Sequence, residues 1–427
     1  MWEHPYLQRS SVYVVKAGEV KALFLCWCAR GMYATIRCDF RENNWIAIMG
    51  GAVRVKSKVY FSDMRAKKGA SLPEKLERMC KKLSVFRNIT KGELVAITLH
   101  FGEQNNTGFV RPLYIRRIVD LVRQAGGNPF LTDANTLYRG RRSNAVDHIN
   151  LAMEHGFSYA TVNAPIIIAD GLNGKDYVEV EVEGTHCKKA KIASAAYHAD
   201  SLISVAHVKG HVIFGFGGAI KNVGMGLGAR SGKQMMHADL RPEIVSGKCT
   251  GCGLCTEWCP TGSLSLVETA DRDRPLSVLT AATCIGCGEC VVTCRHDAIK
   301  ISWSGAPQSV QEKTAEFTSA ILKRKKGKFG AINFLMDISP DCDCLSHTDA
   351  AIVPDIGILA SDDIVAIDLA SVELINREPS LNKTAIPAAK MGEADKFAAI
   401  HGVDWSHQIR HAERLGLGST VYELKRI

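Results

Sequence analysis

The stretch that decides the fold is ELVAITLHFGEQNNTGFVRPLYIRRIVDLVRQAGGNPFLTD, residues 93–133 of a 427-residue chain. ELVAITLHF is an apolar run of strand length, and PLYIRRIVDLVRQAGG repeats its apolar residues at helical spacing between Pro112 and Gly126. NPFLTD is a second strand. A strand, a helix and a strand in this order favour a parallel sheet whose loops are available for ligands.

The same alternation continues on both sides of this stretch. SNAVDHINLAMEHG predicts a helix and YATVN a third strand; YVEVEV and HCKKAKIA fit a hairpin, and SLISVAHVKGH a buried strand. Later, SVQEKTAEFTSAILKRK predicts a helix, KFGAINFLMDI and DIGILA two strands, and SDDIVAIDLASVELIN a helix with Ser361 or Asp362 as N-cap. The predicted class is α/β, with a parallel or mixed sheet and helices on both faces.

The alternation is interrupted once, by a cysteine-rich unit. We therefore predict a host domain in two parts, residues 53–240 and 304–427, around a small α+β unit at 241–303. Two separate α/β domains flanking that unit are the alternative. Residues 1–52 are predicted to be a poorly packed N-terminal extension, with Met49 as an alternative start.

Two similar peptides form the cysteine-rich unit: CTGCGLCTEWCP from Cys249 and CIGCGECVVTCR from Cys284. Three thiolates two residues apart can hold one corner of an iron-sulfur cube while a fourth comes from the other peptide. The predicted sets for two 4Fe-4S clusters are thus crossed: Cys249, Cys252, Cys255 and Cys294 for one, and Cys284, Cys287, Cys290 and Cys259 for the other. Structural zinc is the alternative. The unit resembles a bacterial-type ferredoxin.

Four further segments carry polar groups beside predicted strand ends. HFGEQNNTGFVRP and LTDANTLYRGRR each follow a strand, and HVKGHVIFGFGGAIKNVGMGLGARSGK can present N–H groups and a lysine to an anion. SPDCDCLSHTD brings two cysteines that can ligate a soft metal or act as a redox pair. Local turn structure and close backbone packing are the alternatives. The predicted site residues are His100, Glu103, His211, Lys221, Asp341, Cys342 and Cys344.

Composition limits the function only broadly. The formal charge is +9 and 46% of the residues are hydrophobic, which is ordinary for a globular chain. Basic runs such as RGRR, Arg139 to Arg142, are interpreted as solvated faces, so no nucleic-acid partner is expected. No apolar run approaches the length of a membrane span. The chain has fifteen cysteines, and the metal-ligand spacing of the eight in the two similar peptides indicates a reducing compartment, so we expect a cytoplasmic protein.

Several motifs together resemble the iron-sulfur centre proteins of domain-of-unknown-function family 362, over about residues 53 to 427. These motifs include LHFGE followed by NTGF, LTDANTLY, GFGGAIKN, INFLMDISPDCDC and VPDIGILASDD. The resemblance implies clusters in an α/β host but no substrate. Thr98 and Ile364 stand where the family usually has lysine and proline.

The leading expectation is an electron-transfer oxidoreductase. Its two clusters would transfer single electrons between a separate redox partner protein and a small anionic substrate bound to the host. A non-enzymatic ferredoxin-like carrier or assembly partner is one alternative. A non-redox enzyme with structural clusters is another. The sequence shows no fingerprint for a nicotinamide or flavin cofactor.

Overall fold

The computed structural model describes residues 56–138, 140–237, 242–270, 272–284, 289–296, 298–301 and 307–427, together with the backbone of four strands between residues 23 and 53. The strands are β1 Leu23–Trp27, β2 Tyr33–Asp39, β3 Asn44–Met49, β4 Ala52–Val53, β5 Ser57–Asp63, β6 Leu94–Thr98, β7 Asn128–Asp133, β8 Ile166–Ile168, β9 Tyr177–Glu181, β10 Lys189–Ala193, β11 Ser201–His207, β12 Lys209–His211, β13 Gly215–Gly217, β14 Pro242–Ile244, β15 Leu264–Val267, β16 Leu276–Leu279, β17 Ile299–Ile301, β18 Phe329–Leu335, β19 Gly357–Ser361 and β20 Tyr422–Arg426.

Fourteen α-helices are assigned within these ranges. They are α1 Leu72–Cys80, α2 Ser84–Asn88, α3 Pro112–Gln124, α4 Ala145–Glu154, α5 Tyr159–Val162, α6 Ser194–His198, α7 Ala219–Gly224, α8 Arg230–Met236, α9 Leu254–Glu257, α10 Glu289–Thr293, α11 Pro307–Leu322, α12 Ile364–Arg377, α13 Lys396–His401 and α14 Ser406–Arg414. Short 3-10 turns lie at Ser246–Lys248 and Ala388–Lys390. No helix in the described part of the chain is long and apolar enough to span a membrane.

An eight-stranded mixed sheet organises the host, in the order β20-β5-β19-β18-β11-β6-β7-β8. Strands β18, β11, β6, β7 and β8 are parallel neighbours, whereas β19 runs antiparallel to both β18 and β5. Strands from before and after the cysteine-rich unit therefore lie side by side in one sheet. The predicted α/β class is confirmed.

The two faces of this sheet differ in character. On one face, Ile332 and Phe334 of β18 belong to the apolar core that also contains the inward residues of α1 and α3. On the other face, the Asn333 amide donates hydrogen bonds to Asp368 (2.8 Å) and Ser371 (3.0 Å) of α12. Alternate residues of a strand point to opposite faces, so β18 has one apolar face and one face that forms hydrogen bonds.

Two local predictions are wrong. YATVN is not a strand: residues Tyr159–Val162 form α5, because the Ser158 side chain caps it and Asn163 ends it in the left-handed region at φ 58°. The third parallel strand is β8 instead. The N-cap of α12 is Asp363, whose carboxylate accepts from the backbone N–H groups of Val365 (2.9 Å) and Ala366 (2.8 Å). The Ser361 hydroxyl accepts instead from the Asp363 N–H (3.0 Å), and the Asp362 carboxylate from the Ser84 N–H (2.9 Å).

The cysteine-rich unit has antiparallel strand pairs at its base and middle. Strand β14 pairs with β17, so the first and last strands of the unit lie side by side. Strand β15 pairs with β16. Helix α9 begins within the first cysteine peptide and α10 within the second. Separately, β1 to β4 form an antiparallel sheet in the N-terminal segment. The predicted disorder of that segment stays a prediction.

Helix α7 is held by a close approach to α11, where glycine is required. A Cβ on Gly224 would clash with the Thr314 carbonyl oxygen and the Thr318 hydroxyl of α11. The Thr318 hydroxyl also donates to the carbonyl of Ile220 at 3.2 Å. The contact fixes the helix that carries Lys221.

We expect Gly224→Ala to lower the free energy of unfolding by about 1–3 kcal/mol through overpacking of this contact. Anaerobic urea unfolding followed by circular dichroism measures the loss. Gly392→Ala is the matched control, because a Cβ there meets no atom within 4 Å. Equal stabilities of the two variants would contradict the proposed tight contact.

Candidate functional site

A cavity of about 580 Å³ opens where four neighbouring parallel strands end. His100 follows β6 and Tyr138 follows β7. His211 is the last residue of β12, which follows β11, and Cys344 lies in the loop after β18. Lys221 projects from α7 into the same cavity. Loops at the carboxyl ends of parallel strands are where open α/β sheets bind ligands. The strand order therefore brings the loop residues together, and α7 adds Lys221.

A buried carboxylate fixes the loop that carries the cysteines. Asp343, fully buried, lies 3.0 Å from the Nδ1 atom of His207 and 3.0 Å from the Nζ atom of Lys209. Burial alone would raise the pKa of Asp343, but the positive charges of His207 and Lys209 lower this pKa far below its ordinary value. The Asp343 carbonyl also accepts from the Glu103 N–H at 2.9 Å.

Hydrogen-bond donors converge on the sulfur of Cys342. The Lys221 ammonium lies 3.5 Å from it, and the Cys344 backbone N–H lies at 3.4 Å. The Cys344 thiol donates to it as well, and this bond lowers the pKa of Cys342 most, against the effect of burial; Lys221 and His211 lower it further. Cys342 is therefore the thiolate of the pair, and the pKa of Cys344 is raised correspondingly.

The proton of His211 is placed by the turn that follows it. Its Nδ1 atom accepts from the N–H groups of Ile213 (3.0 Å) and Phe214 (3.3 Å), so the proton of the neutral ring sits on Nε2. Burial, followed by the charge of Lys221, lowers the pKa of His211 to about 4. The ring is neutral near pH 7. One nitrogen of His211 and the sulfurs of Cys342 and Cys344 lie within 4.8 Å of one another, the spacing of a group that can hold a soft metal ion.

Arg142 is a residue of the candidate site that the sequence patterns missed. It is only 2% exposed, and its guanidinium lies 3.3 Å from the Glu103 carboxylate and 3.4 Å from that of Asp133. It also donates to the Tyr138 hydroxyl. The interpretation of RGRR as a solvated face is therefore wrong for Arg142, while Arg139 lies outside the described residues. The available signal was that Arg142 lies four residues after LTDANTLY, in the loop that follows β7.

The predicted site residues are partly brought together. His100, His211, Lys221 and Cys344 line the cavity, and Cys342 lies directly behind Cys344. Glu103 lies behind Arg142 and does not line the cavity. Asp341 is outside the lining as well, with its nearest ionic partner the Nε2 atom of His401 at 3.9 Å.

The predicted cluster ligands divide between two places. Cys249, Cys252, Cys255 and Cys294 line one pocket in the cysteine-rich unit, together with Gly251 and Gly253. Both glycines have positive φ, 71° and 77°, which other residues rarely adopt. Of the other set, Cys290 is buried near Cys259, and Cys284 is half-buried. Cys287 lies outside the described residues.

Leu137 and Tyr138 connect this unit to the host cavity. Leu137 lines the cavity and belongs to the same buried apolar cluster as Cys255 and Cys290. The hydroxyl of Tyr138 donates to the backbone carbonyl of Cys344 at 3.3 Å. Two consecutive residues thus contact both the cysteine-rich unit and the loop of Cys344.

The fold and these sites define an α/β protein with a ligand cavity at its strand ends and a cysteine-rich unit built against that cavity. Residues 95–373, more than half of the chain, match the family described as a domain of unknown function (DUF362). The chain belongs to this family.

Comparison with solved structures gives only distant similarities. The apoprotein of lactate racemase from Thermoanaerobacterium thermosaccharolyticum is 13% identical with a TM-score of 0.33, over 68% of this chain and 54% of that one. A structural-genomics protein from Thermotoga maritima is 11% identical with a TM-score of 0.33, over 62% and 49%. The match spans about half the length of these proteins. No curated protein matches the sequence.

Asp343→Asn tests the anchor of the cysteine loop. The variant leaves the Lys209 ammonium buried without its ionic partner and His207 without its carboxylate acceptor, so we expect a loss of about 3–5 kcal/mol in the free energy of unfolding. Because the pKa of Asp343 is lowered from 3.8, its contribution is present above about pH 4 and is lost only at lower pH. Urea unfolding at pH 7, where the carboxylate is fully ionised, measures the difference from wild type.

Asp349→Asn is the matched control, since Asp349 lies in the same loop, is exposed, and accepts from the N–H of Ala350. A surface change of this kind should alter stability by less than about 0.5 kcal/mol. An Asp343→Asn variant as stable as this control would refute the anchoring role.

Proposed function

We propose that the protein is an iron-sulfur oxidoreductase with two 4Fe-4S clusters in the cysteine-rich unit and a small anionic substrate in the host cavity. The observation that carries the proposal is the convergence of Cys249, Cys252, Cys255 and Cys294, from two separate peptides, on one pocket. Three cysteines of the first peptide and the last of the second are the set expected for a two-cluster ferredoxin.

The residues around this pocket suit such a group. Its wall is largely apolar, with Ile244, Leu254 and Leu266 among the lining residues, and Cys249 and Cys255 of the set are buried. The backbone N–H of Ala298 donates to the Cys294 sulfur at 3.4 Å, and the Ser277 hydroxyl lies 3.2 Å from the Cys255 sulfur. Hydrogen bonds of this kind stabilise negative charge on sulfur. When bound, clusters would supply one-electron transfer beside the host.

The second ligand set is Cys284, Cys287, Cys290 and Cys259. The Ser263 N–H donates to the Cys259 sulfur at 3.2 Å, as Ala298 does in the first set. Cys259 and Ser263 are four residues apart, as are Cys294 and Ala298. In both peptides, therefore, the sulfur of the last cysteine accepts a hydrogen bond from the backbone N–H four residues later. We propose that this symmetry reflects two similar clusters.

The host cavity suits an anion. Lys221 and His211 line it, and Arg142, Lys209 and Lys233 add positive charge around it. Arg142 and Lys209 already face carboxylates, whereas Lys221 contacts the sulfur of Cys342. Lys221 is thus the residue that we propose binds a substrate carboxylate or phosphate. Gly217 leaves room for it, since a Cβ there would approach Lys221 Cδ to 3.2 Å.

Two neutral histidines can donate or accept protons in this cavity. The Nδ1 atom of His100 accepts from the Gly102 N–H at 3.0 Å, so its proton, like that of His211, sits on Nε2. Burial, followed by the charge of Arg142, keeps the pKa of His100 well below its usual range. Both rings therefore remain uncharged; His100 offers an N–H donor to substrate, whereas the N–H of His211 is directed at the Cys342 sulfur.

A redox partner protein is proposed to approach the cysteine-rich unit from its hairpin. Leu266, Val267 and Val278 of β15 and β16 are exposed, and Leu266 also lines the cysteine pocket. Exposed apolar side chains next to the pocket would let a partner come close. We also propose a reducing, cytoplasmic location, because the free thiolates require one.

The crossed ligand sets predict different iron losses for paired variants. Anaerobically prepared wild type should contain about eight irons, four for each cube. Cys249→Ser with Cys294→Ser removes two ligands of one proposed set, so about four irons should remain. Cys249→Ser with Cys259→Ser damages both sets and should leave few irons. Iron and sulfide analysis with electron paramagnetic resonance gives the counts.

Cys187→Ala is the control, as Cys187 is a buried cysteine of the host and should leave about eight irons. Equal iron losses in the two paired variants would contradict the crossed arrangement. Zinc in place of iron would refute the proposed function.

A further inference from the structure

The loop Cys342–Cys344 supports two kinds of chemistry, which the contacts around it distinguish. Its two sulfurs and one nitrogen of His211 lie within 4.8 Å of one another, as ligands of a soft metal would. A pair of thiols that shares one proton and reacts with an electrophile is the other kind of chemistry. The two differ in what they require of His211 and Lys221.

The hydrogen bonds of His211 favour the thiol pair. A histidine that binds a metal usually donates the N–H of its other ring nitrogen to an acceptor. In His211 the nitrogen that faces the backbone is an acceptor, because Nδ1 accepts from the N–H groups of Ile213 and Phe214. The proton of the ring is therefore on Nε2, which faces the sulfurs. A metal at Nε2 would have to displace that proton from an already neutral ring.

The charge of Lys221 favours the thiol pair as well. Its ammonium lies 3.5 Å from the Cys342 sulfur, where it stabilises a thiolate and repels a metal cation. Lys209 does not offset this effect, because its charge is already paired with the Asp343 carboxylate, 3.0 Å away. The surroundings therefore favour one negative charge on the two sulfurs and no added cation.

The two cysteines also differ in position. Cys342 is 5% exposed and receives the donors, whereas Cys344 is half-buried and lines the cavity. The thiol of Cys344 points its proton at Cys342, which makes Cys342 the natural acceptor when Cys344 reacts. A thiolate that forms in the cavity in this way is the more basic of the two and hence the stronger nucleophile.

We infer that Cys344 is a covalent nucleophile for a small carboxylate that carries an electrophilic carbon, with Cys342 as its base and Lys221 as the carboxylate-binding residue. The Cys344 sulfur bonds to a carbonyl or β-carbon conjugated to the carboxylate, and its proton passes to Cys342. The electron pair of the opened double bond takes that proton back from Cys342. The net step adds S–H across the double bond and requires no oxidant or reductant.

This inference rests on the proposed function only for its anionic substrate, not for its clusters. It can therefore be tested with a small anionic electrophile in place of the substrate. Iodoacetate and iodoacetamide both form an S–C bond with loss of iodide, and they differ in charge. Tandem mass spectrometry of the full-length protein locates the label at Cys344 among the fifteen cysteines.

Relative to a free thiol peptide, Cys344 should prefer iodoacetate over iodoacetamide by at least about tenfold, because a cationic cleft concentrates anions. The preference should fall as salt is raised. Lys221→Met should abolish it, whereas Lys326→Met, the same change at an exposed lysine outside the cavity, should not. No preference in wild type, or an equal loss in both variants, would overturn the assignment of the site.

The pH profile tests the role of Cys342. In wild type, labelling of Cys344 should persist at pH 6, where an ordinary thiol with a pKa of about 8.5 loses roughly tenfold in thiolate per pH unit. Cys342→Ala should restore the ordinary profile. An unchanged profile would show that Cys342 is not the base.

A metal site gives a different result. A stoichiometric metal ion that is lost in Cys342→Ala and that protects Cys344 from labelling would overturn the inference in favour of metal binding. Iron content measured on the same samples reports on the clusters independently. If Cys344 is labelled as expected in protein that contains no iron, the proposed function is rejected, but the assignment of Cys344 as a nucleophile is retained.

Discussion

The buried carboxylate of Asp343 is the constraint on which the cavity depends. Its partners are His207, at the end of β11, and Lys209, at the start of β12, whereas Asp343 itself lies in the loop after β18. The backbone carbonyl of Asp343 also accepts from the Glu103 N–H in the loop after β6. A buried carboxylate costs several kcal/mol unless it is paired and hydrogen-bonded. Because the carboxylate and its partners belong to different segments, the ion pairs form only when the loop after β18 and the β11–β12 segment take their native positions.

The position of Asp343 between two cysteines extends this constraint to the chemistry. Residues on either side of an anchored side chain have little freedom, so Cys342 and Cys344 are held against Lys221 and His211. The anchored carboxylate also neutralises Lys209, which leaves Lys221 as the cation that faces a thiolate. A thiolate accepts weaker hydrogen bonds than a carboxylate does. An incoming carboxylate can therefore compete for Lys221 more readily than for Lys209 or Arg142.

The sequence predicts the host sheet well where a periodic pattern is long. Residues 93–133 show a strand, a helix and a strand, and β6, α3 and β7 lie there. It fails at Tyr159–Val162, where four residues with strand propensity form a short helix because Ser158 caps it. Capping by a serine is visible in the sequence, but its strength relative to the β propensity of tyrosine, threonine and valine depends on the tertiary context.

The sequence predicts the site less completely than the fold. Motifs after strand ends identify His100, His211, Lys221 and the cysteine pair, since parallel strands bring such loops together. They do not separate Asp341, outside the lining, from Asp343, the anchor two residues later. Nor do they show that Arg142 is buried while Arg141 pairs with Glu154 at the surface. These differences depend on which way each side chain points, and local sequence patterns do not contain that information.

The connections of the cysteine-rich unit explain why it lies within the host chain. Leu137 packs with its cysteines, and Tyr138 contacts the loop of Cys344. On its far side the chain enters α11 at Pro307, which lines the cavity, and α11 packs against the helix of Lys221. A free carrier would have to find this surface at each encounter, whereas a unit attached at both ends stays at a high effective concentration there. Because α11 also packs against the helix that carries Lys221, a displacement of the unit would shift the residue that we propose binds the anion.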